Sequence, residues 1–144
     1  MKQTQIDDAL CRRLIAAALE ARKRSYAPYS HYHVGAALWT QSGKLYTGCN
    51  IENAAFTPTI CAERTALFKA VSEGVRCFQA IAIVGSLEGE KNRLVTSPCG
   101  VCRQALNEFC EKDMPLILAK SEEEYQIITL GELLPLGFGP KNIQ

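Results

Sequence analysis

Two short cysteine-bearing stretches carry most of the reactive chemistry in this 144-residue chain. Pro98-Cys99-Gly100-Val101-Cys102 places two thiols three residues apart, on one face of a helix that begins there. A thiol at a helix N-terminus lies at the positive end of the backbone dipole and ionises more readily. Cys61-Ala62-Glu63 adds a third thiol, with a carboxylate two residues on. Three protein ligands leave one position of a tetrahedral zinc ion open, which is the pattern of a catalytic site rather than a structural one. Glu63 suits moving protons to and from water better than replacing a thiolate beside a soft site. Helical periodicity does not put Glu63 and Cys61 on one face, so the first helical turn must wrap the metal. Spacing alone leaves other readings open. Cys49 or Cys110 would complete a four-cysteine structural zinc, and Cys99 with Cys102 would make a redox pair that leaves Cys61 unexplained. Separate buried thiols are a third alternative.

The elements that must position these residues follow from hydrophobic period and turn signals. Residues 7–24 read as an amphipathic helix with Leu10, Leu14, Ala18 and Ala21 on one stripe. Residues 32–40 and 45–50 read as a hairpin of strands around Gln41-Ser42-Gly43-Lys44. A helix is expected over about 60–73, with Thr59 as its N-cap and Gly74 as its stop. Residues 78–84 suit a buried strand, 85–93 a polar loop, and 97–110 a second cysteine-bearing helix. Residues 116–119 and 125–129 read as strands, and 130–134 as a short helix stopped by Pro135. The alternation predicts one domain over 1–144, an α/β fold with a mixed sheet covered on both faces. Both cysteine-bearing helices follow strands, so their starts are expected at strand ends, where ligands of α/β folds bind.

Composition narrows the classes. The chain is 47% apolar and 22% charged, which fits a globular domain rather than disorder. A net charge of +1 gives no footprint for capturing a nucleic-acid backbone, and the basic run Arg22-Lys23-Arg24 reads as a solvated helix end. No stretch approaches the roughly 20 apolar residues of a membrane span. The N-terminus lacks the apolar run of a signal peptide, so a cytoplasmic protein is expected. An odd count of seven cysteines then argues against a disulfide framework.

Cys61-Ala62-Glu63 followed by Pro98-Cys99-x-x-Cys102 resembles the motif of the cytidine/deoxycytidylate deaminase superfamily. The likeness extends to Tyr26-Ala27-Pro28-Tyr29-Ser30, Val34-Gly35-Ala36-Ala37-Leu38 and Gly48-Cys49-Asn50-Ile51-Glu52-Asn53-Ala54. It also takes in Cys61-Ala62-Glu63-Arg64-Thr65-Ala66 and Ser97-Pro98-Cys99-Gly100-x-Cys102-Arg103-Gln104. These stretches cover most of residues 26–106 in family order and are similar to the small homotetrameric cytidine deaminases. The resemblance implies a three-layer α/β/α fold with a five-stranded mixed sheet. It implies one Zn²⁺ per subunit on Cys61, Cys99 and Cys102, and hydrolytic deamination of cytidine and deoxycytidine with Glu63 as the proton carrier. It further implies sites shared between subunits of a homotetramer, a nucleoside as partner, and no nucleic acid or membrane.

Residue roles follow in the same way. Asn50 and Glu52 stand where the family binds the ribose 3′-hydroxyl, and Tyr32 where it usually places Phe near the base. Ala54 and Cys61 match backbone contacts to the base edge. Phe56 matches a residue lining the site of a neighbouring subunit, and Phe138 the aromatic that reaches into an adjacent subunit to stack on the base. Three thiolates around Zn²⁺ carry one net negative charge, which would make a bound water less acidic. Arg64, three residues from Cys61, is placed to offset it, and Gln104 is a second candidate by resemblance. Two competing functions remain: deamination of another aminopyrimidine nucleoside such as blasticidin S, and a non-catalytic zinc-binding interaction module.

Overall fold

The computed structural model describes residues 6–91 and 93–144. In chain order the elements are α1 (Asp8–Arg22), β1 (Tyr32–Thr40), β2 (Leu45–Cys49), α2 (Ala62–Ser72) and β3 (Phe78–Leu87). They continue with α3 (Gly100–Phe109), β4 (Pro115–Ala119), β5 (Tyr125–Thr129) and α4 (Leu130–Leu133), and a 3-10 turn covers Pro140–Asn142. The strands form one sheet in the order β2-β1-β3-β4-β5. β3 and β4 run parallel and the other neighbours antiparallel, so the sheet is mixed, as expected.

Side chains alternate across each strand, and the two faces collect different helices. On one face Leu14, Ile15 and Ala18 of α1 pack with Ala37, Ala82, Val84 and Ile117. On the other, Ala66 and Leu67 of α2, Leu106 of α3 and Leu130 of α4 pack with Leu38, Ile81, Ile83 and Leu116. β3 and β4 are covered on both faces, which is why they read as continuous apolar runs.

Several boundaries differ from the sequence expectation, each for a local reason. α2 begins at Ala62, and its N-cap is Cys61 rather than Thr59. The Thr59 hydroxyl instead accepts from the Asn53 amide at 3.1 Å. An antiparallel bridge between Ile51 and Ile60 keeps the chain extended up to Cys61. β3 runs on to Leu87, into the expected polar loop, because β1 pairs with it through Tyr32↔Leu87 and His33↔Ser86. Arg22, read as part of a solvated run, is half-buried and donates to the Ser86 hydroxyl at 3.1 Å. Gly74 does end α2, at φ +92°. No helix among the described residues is long and apolar enough to cross a membrane. The expectation about the N-terminal leader falls partly on residues 1–5, which lie outside the described residues.

Two glycines let helix backbone rest directly on strand backbone. A Cβ at Gly35 would lie 2.0 Å from the Ala18 carbonyl oxygen of α1. A Cβ at Gly48 would lie 2.5 Å from the Ala62 carbonyl oxygen and 2.6 Å from the Ala66 nitrogen of α2. Neither neighbour is a flexible side-chain tip, so an added methyl must displace a helix. Gly35→Ala and Gly48→Ala are each expected to cost about 1–3 kcal/mol, the range for overpacking a close contact. Urea unfolding checks this, and midpoints equal to wild type would contradict backbone-on-backbone packing at these positions.

Candidate metal centre and active site

Topology explains why two distant cysteine motifs meet. β2 and β3 are both antiparallel to β1 and therefore point the same way. The helices that follow them, α2 and α3, consequently start at the same end of the sheet, where β1 begins. Cys61 is the N-cap of α2, Cys99 the N-cap of α3, and Cys102 lies in the first turn of α3. The Cys61 and Cys99 sulfurs are 3.7 Å apart, and those of Cys99 and Cys102 are 3.5 Å apart. All three lie within 4.8 Å of one another, the one such cluster among the described residues.

The cluster fits zinc. A tetrahedral zinc with sulfur at about 2.3 Å requires sulfurs about 3.8 Å apart, close to what is seen. The donors are three soft sulfurs, and Cys49 and Cys110 stand outside the group, so a four-cysteine structural site finds no fourth sulfur here. Two helix N-termini converge on the cluster with their partial positive charge. Arg64 donates to the Cys61 sulfur at 3.5 Å. Hydrogen bonding from Cys102 first, then from Arg64 and Cys99, draws the Cys61 thiol below the usual range. Cys61 in turn raises Cys102, with burial and the Glu63 charge acting in the same direction.

Glu63 is buried at 4% exposure, one of three buried polar side chains among the described residues. Burial, and next the Cys61 charge, pushes its carboxyl above the ordinary range. Glu63 is the second residue of α2 and interacts with both Cys61 and Cys102. A cavity of about 280 Å³ opens over this place, lined by Glu63, Cys61 and Cys99 together with Tyr32, Asn50 and Glu52. A larger cavity of about 530 Å³ lies at the other end of α3, against Cys110 and Lys141, away from the sulfurs.

The remaining expected residues divide into two groups. Asn50 and Glu52 line the cavity but are already engaged within the chain. The Asn50 side-chain oxygen accepts from Val34 N at 2.9 Å and from the Ser25 hydroxyl, and its amide donates to the Tyr32 carbonyl at 2.8 Å. Glu52 accepts from the amides of Tyr29 and Ser30 at 3.0 and 3.1 Å and from the Ser30 hydroxyl. The Ser30 hydroxyl is the main cause holding the Glu52 carboxyl low. One Asn50 N–H and the spare lone pairs of Glu52 are left for a ligand. The Tyr32 hydroxyl pairs with the Thr96 hydroxyl at 2.6 Å.

Ala54, Phe56 and Phe138 do not line this cavity. Phe56 is 70% exposed at φ +61° and meets Tyr29 edge-on, with ring centroids 6.1 Å apart. Phe138 is 60% exposed. Gln104 is turned toward the C-terminal segment and donates to the Phe138 carbonyl at 2.8 Å. Residues the sequence reading did not single out also line the cavity: Ser30, Thr96 and Ser97. Ser30 and Ser97 stood in the family-like stretches without a role of their own, and Thr96 had no signal beyond its place two residues before Pro98.

The family model for the cytidine and deoxycytidylate deaminase zinc-binding region matches residues 10–118. A cytidine deaminase of Sporosarcina psychrophila is 47% identical over 131 residues, covering 91% of this chain and 93% of that protein. One of Halalkalibacterium halodurans is 46% identical over 125 residues, covering 87% and 91%. Among solved structures, cytidine deaminase from Burkholderia pseudomallei is similar at TM-score 0.79 and 44% identity, covering 88% of this chain and 97% of that one.

Metal removal should be visible at the thiols. In the zinc-loaded protein Cys61 and Cys99 are expected to resist iodoacetamide. After chelation both should alkylate, while Cys11 and Cys110, whose thiols burial raises, stay slow throughout. Peptide mapping by mass spectrometry reads the pattern. Equal labelling of Cys61 and Cys99 with and without chelator would remove the metal from these sulfurs.

Proposed function

The chain belongs to the cytidine and deoxycytidylate deaminase family, and from that premise we propose that it hydrolyses the 4-amino group of cytidine and deoxycytidine at the Cys61–Cys99–Cys102 cluster. The reaction consumes one water and yields uridine or deoxyuridine with ammonia. The observation that carries this reading is a buried carboxyl, Glu63, facing the same cavity as three sulfurs at zinc-ligand spacing. Zinc bound there supplies Lewis-acid activation of water.

The chain's own residues do the rest. Glu63 accepts a proton from the attacking water, delivers it to ring N3 of the base, and helps protonate the departing amine. Burial, and next the Cys61 charge, holds the carboxyl above its ordinary range, the direction that suits a group which first takes up a proton and then passes it on. Cys61, Cys99 and Cys102 hold the metal, and Arg64 with the two helix starts offsets the negative charge of three thiolates. Asn50 and Glu52, at the cavity mouth, present the remaining amide hydrogen and carboxylate lone pairs to a ribose hydroxyl, and Tyr32 forms wall beside the base.

The whole chain, 1–144, acts in this reading as one domain of a cytoplasmic homotetramer. Support for the assembly comes from Phe56 and Phe138, both exposed and neither lining this chain's own cavity, whose one aromatic lining residue is Tyr32. In this reading Phe138 and the Phe56 loop would complete the site of an adjacent subunit.

Glu63→Gln is expected to keep one zinc per chain and lower kcat by about 10²–10⁴-fold. Ammonia release from cytidine, cytosine and blasticidin S, with and without chelator, is the measurement. Turnover of cytidine at an unchanged rate by Glu63→Gln would remove the carboxyl from the reaction, and turnover of blasticidin S alone would replace the substrate. For the shared site, mixing inactive Glu63→Gln with Phe138→Ala chains and reassembling them should restore part of the activity the Phe138→Ala protein lacks. No restoration in verified mixed tetramers would place Phe138 outside the neighbour's site.

A further inference from the structure

Both ligand-bearing helices begin on a cysteine whose side chain makes no capping hydrogen bond. The sulfurs serve the cluster, so something else must hold each helix start. The approach to Cys61 is held by backbone. Ile51 and Ile60 exchange two amide–carbonyl hydrogen bonds of 3.0 Å one residue before the ligand. The approach to Cys99 has no such hold: among the described residues, no backbone–backbone hydrogen bond joins residues 93–98 to the rest of the chain.

Side chains do that work instead. Arg103, half-buried one turn beyond Cys99, spreads its guanidinium over three acceptors. Its Nε donates to the Pro98 carbonyl at 2.7 Å, one terminal nitrogen to the Leu133 carbonyl at 2.8 Å, and the other to the Ser97 hydroxyl at 3.2 Å. From the opposite side the Tyr32 hydroxyl, at the start of β1, pairs with the Thr96 hydroxyl at 2.6 Å. Three consecutive residues, Thr96, Ser97 and Pro98, are thus gripped immediately before the ligand. The Leu133 carbonyl is an orphan acceptor at the C-terminus of α4, so the grip is anchored to a second element. A planar fork with five donors can serve acceptors in three directions, which an ammonium on a flexible stem cannot do to the same effect.

We propose that Arg103 is a positioning residue for the zinc ligand Cys99, and that the Tyr32–Thr96 hydroxyl pair is a second hold on the same arm. The proposal rests on the reading of the three cysteines as a zinc site. It assigns a use to the Tyr32 hydroxyl. It also predicts that the two cysteine motifs lose metal through different weaknesses, the Cys99 arm through side-chain changes that remove no hydrogen bond to sulfur.

Zinc affinity of the purified protein, measured by competition with a chromogenic chelator, tests this without reference to turnover. Arg103→Met should weaken zinc binding by about 10- to 100-fold, the usual effect of removing an outer partner of a metal ligand. Arg103→Lys should fall between it and wild type. Tyr32→Phe, which deletes one hydroxyl and keeps the ring, should weaken binding by at least about twofold, and Thr96→Val should match it, since both break one bond. Thermal unfolding of each zinc-free variant is measured alongside. A purely structural role would lower the melting temperature and leave the zinc affinity of the folded protein unchanged, and that result overturns the proposal. Should Arg103→Met fail to fold, wild-type affinities in Arg103→Lys and Tyr32→Phe overturn it equally. A wild-type chain that takes up no zinc overturns the metal reading itself, an outcome distinct from a zinc-loaded wild type whose variants bind as tightly.

Discussion

Three sulfur atoms held within 4.8 Å of one another are the constraint on which the rest of the structure turns. Thiolates so close repel each other, and only a cation between them with positive charge around them makes the arrangement favourable. The chain meets this by bringing two helix starts to one point and placing Arg64 beside Cys61. It does so at a cost visible in the capping pattern. α1 and α4 begin with ordinary side-chain caps, Asp7 and Thr129, which accept from backbone amides. α2 and α3 begin with cysteines that make none. An N-cap hydrogen bond contributes about 1 kcal/mol to a helix, so these two forgo local stability that tertiary contacts must replace.

Those tertiary contacts are of two kinds. Gly48 lets α2 settle with its Ala62 and Ala66 backbone against β2, close to Cys61 and Glu63. The placement of α2 is therefore a backbone matter, tied to the sheet by contact and by the Ile51–Ile60 bridge. α3 touches the sheet chiefly through buried Leu106, toward its far end, and its start is held by polar side chains. One ligand arm is thus carried by the sheet and the other by a side-chain network. A backbone bridge persists through nearly any side-chain change; the network does not.

Much of this was legible in the sequence because it rests on local rules. The two strands of the first hairpin, the stripe on α1 and the stop at Gly74 each follow from period or from a residue with one conformational use. The gathering of Cys61, Cys99 and Cys102 was legible as two thiol-bearing helix starts at one end of the sheet, although spacing alone left other readings of the thiols open. What escaped was set by partners outside the helical or strand repeat, some near in sequence and some far. Thr59 has the composition of a cap, yet Asn53 and the Ile51–Ile60 bridge keep the chain extended past it. β3 extends beyond its apolar run because β1 offers it a full ladder. Gln104 and Arg103 lie beside the cysteine motif, but what each binds, Phe138 and Leu133, arrives from the C-terminal segment. No window of local sequence contains both ends of such a bond.

The polar residues at the cavity mouth show why internal engagement and ligand recognition are compatible. Asn50 and Glu52 look, by residue type, like groups waiting for a hydroxyl, but most of their hydrogen-bonding capacity is spent on Val34, Tyr32, Tyr29 and Ser30. A side chain held by several internal bonds has one orientation and loses little rotamer freedom when a ligand arrives. Its remaining donor or lone pair then points one way only. The same bonds tie the turn before β1 to the segment after β2, so the mouth is shaped by the residues that would read the sugar. Selectivity in such a cavity comes less from the number of contacts offered than from the few directions left open, and those directions are set in large part by the backbone amides of Val34, Tyr29 and Ser30.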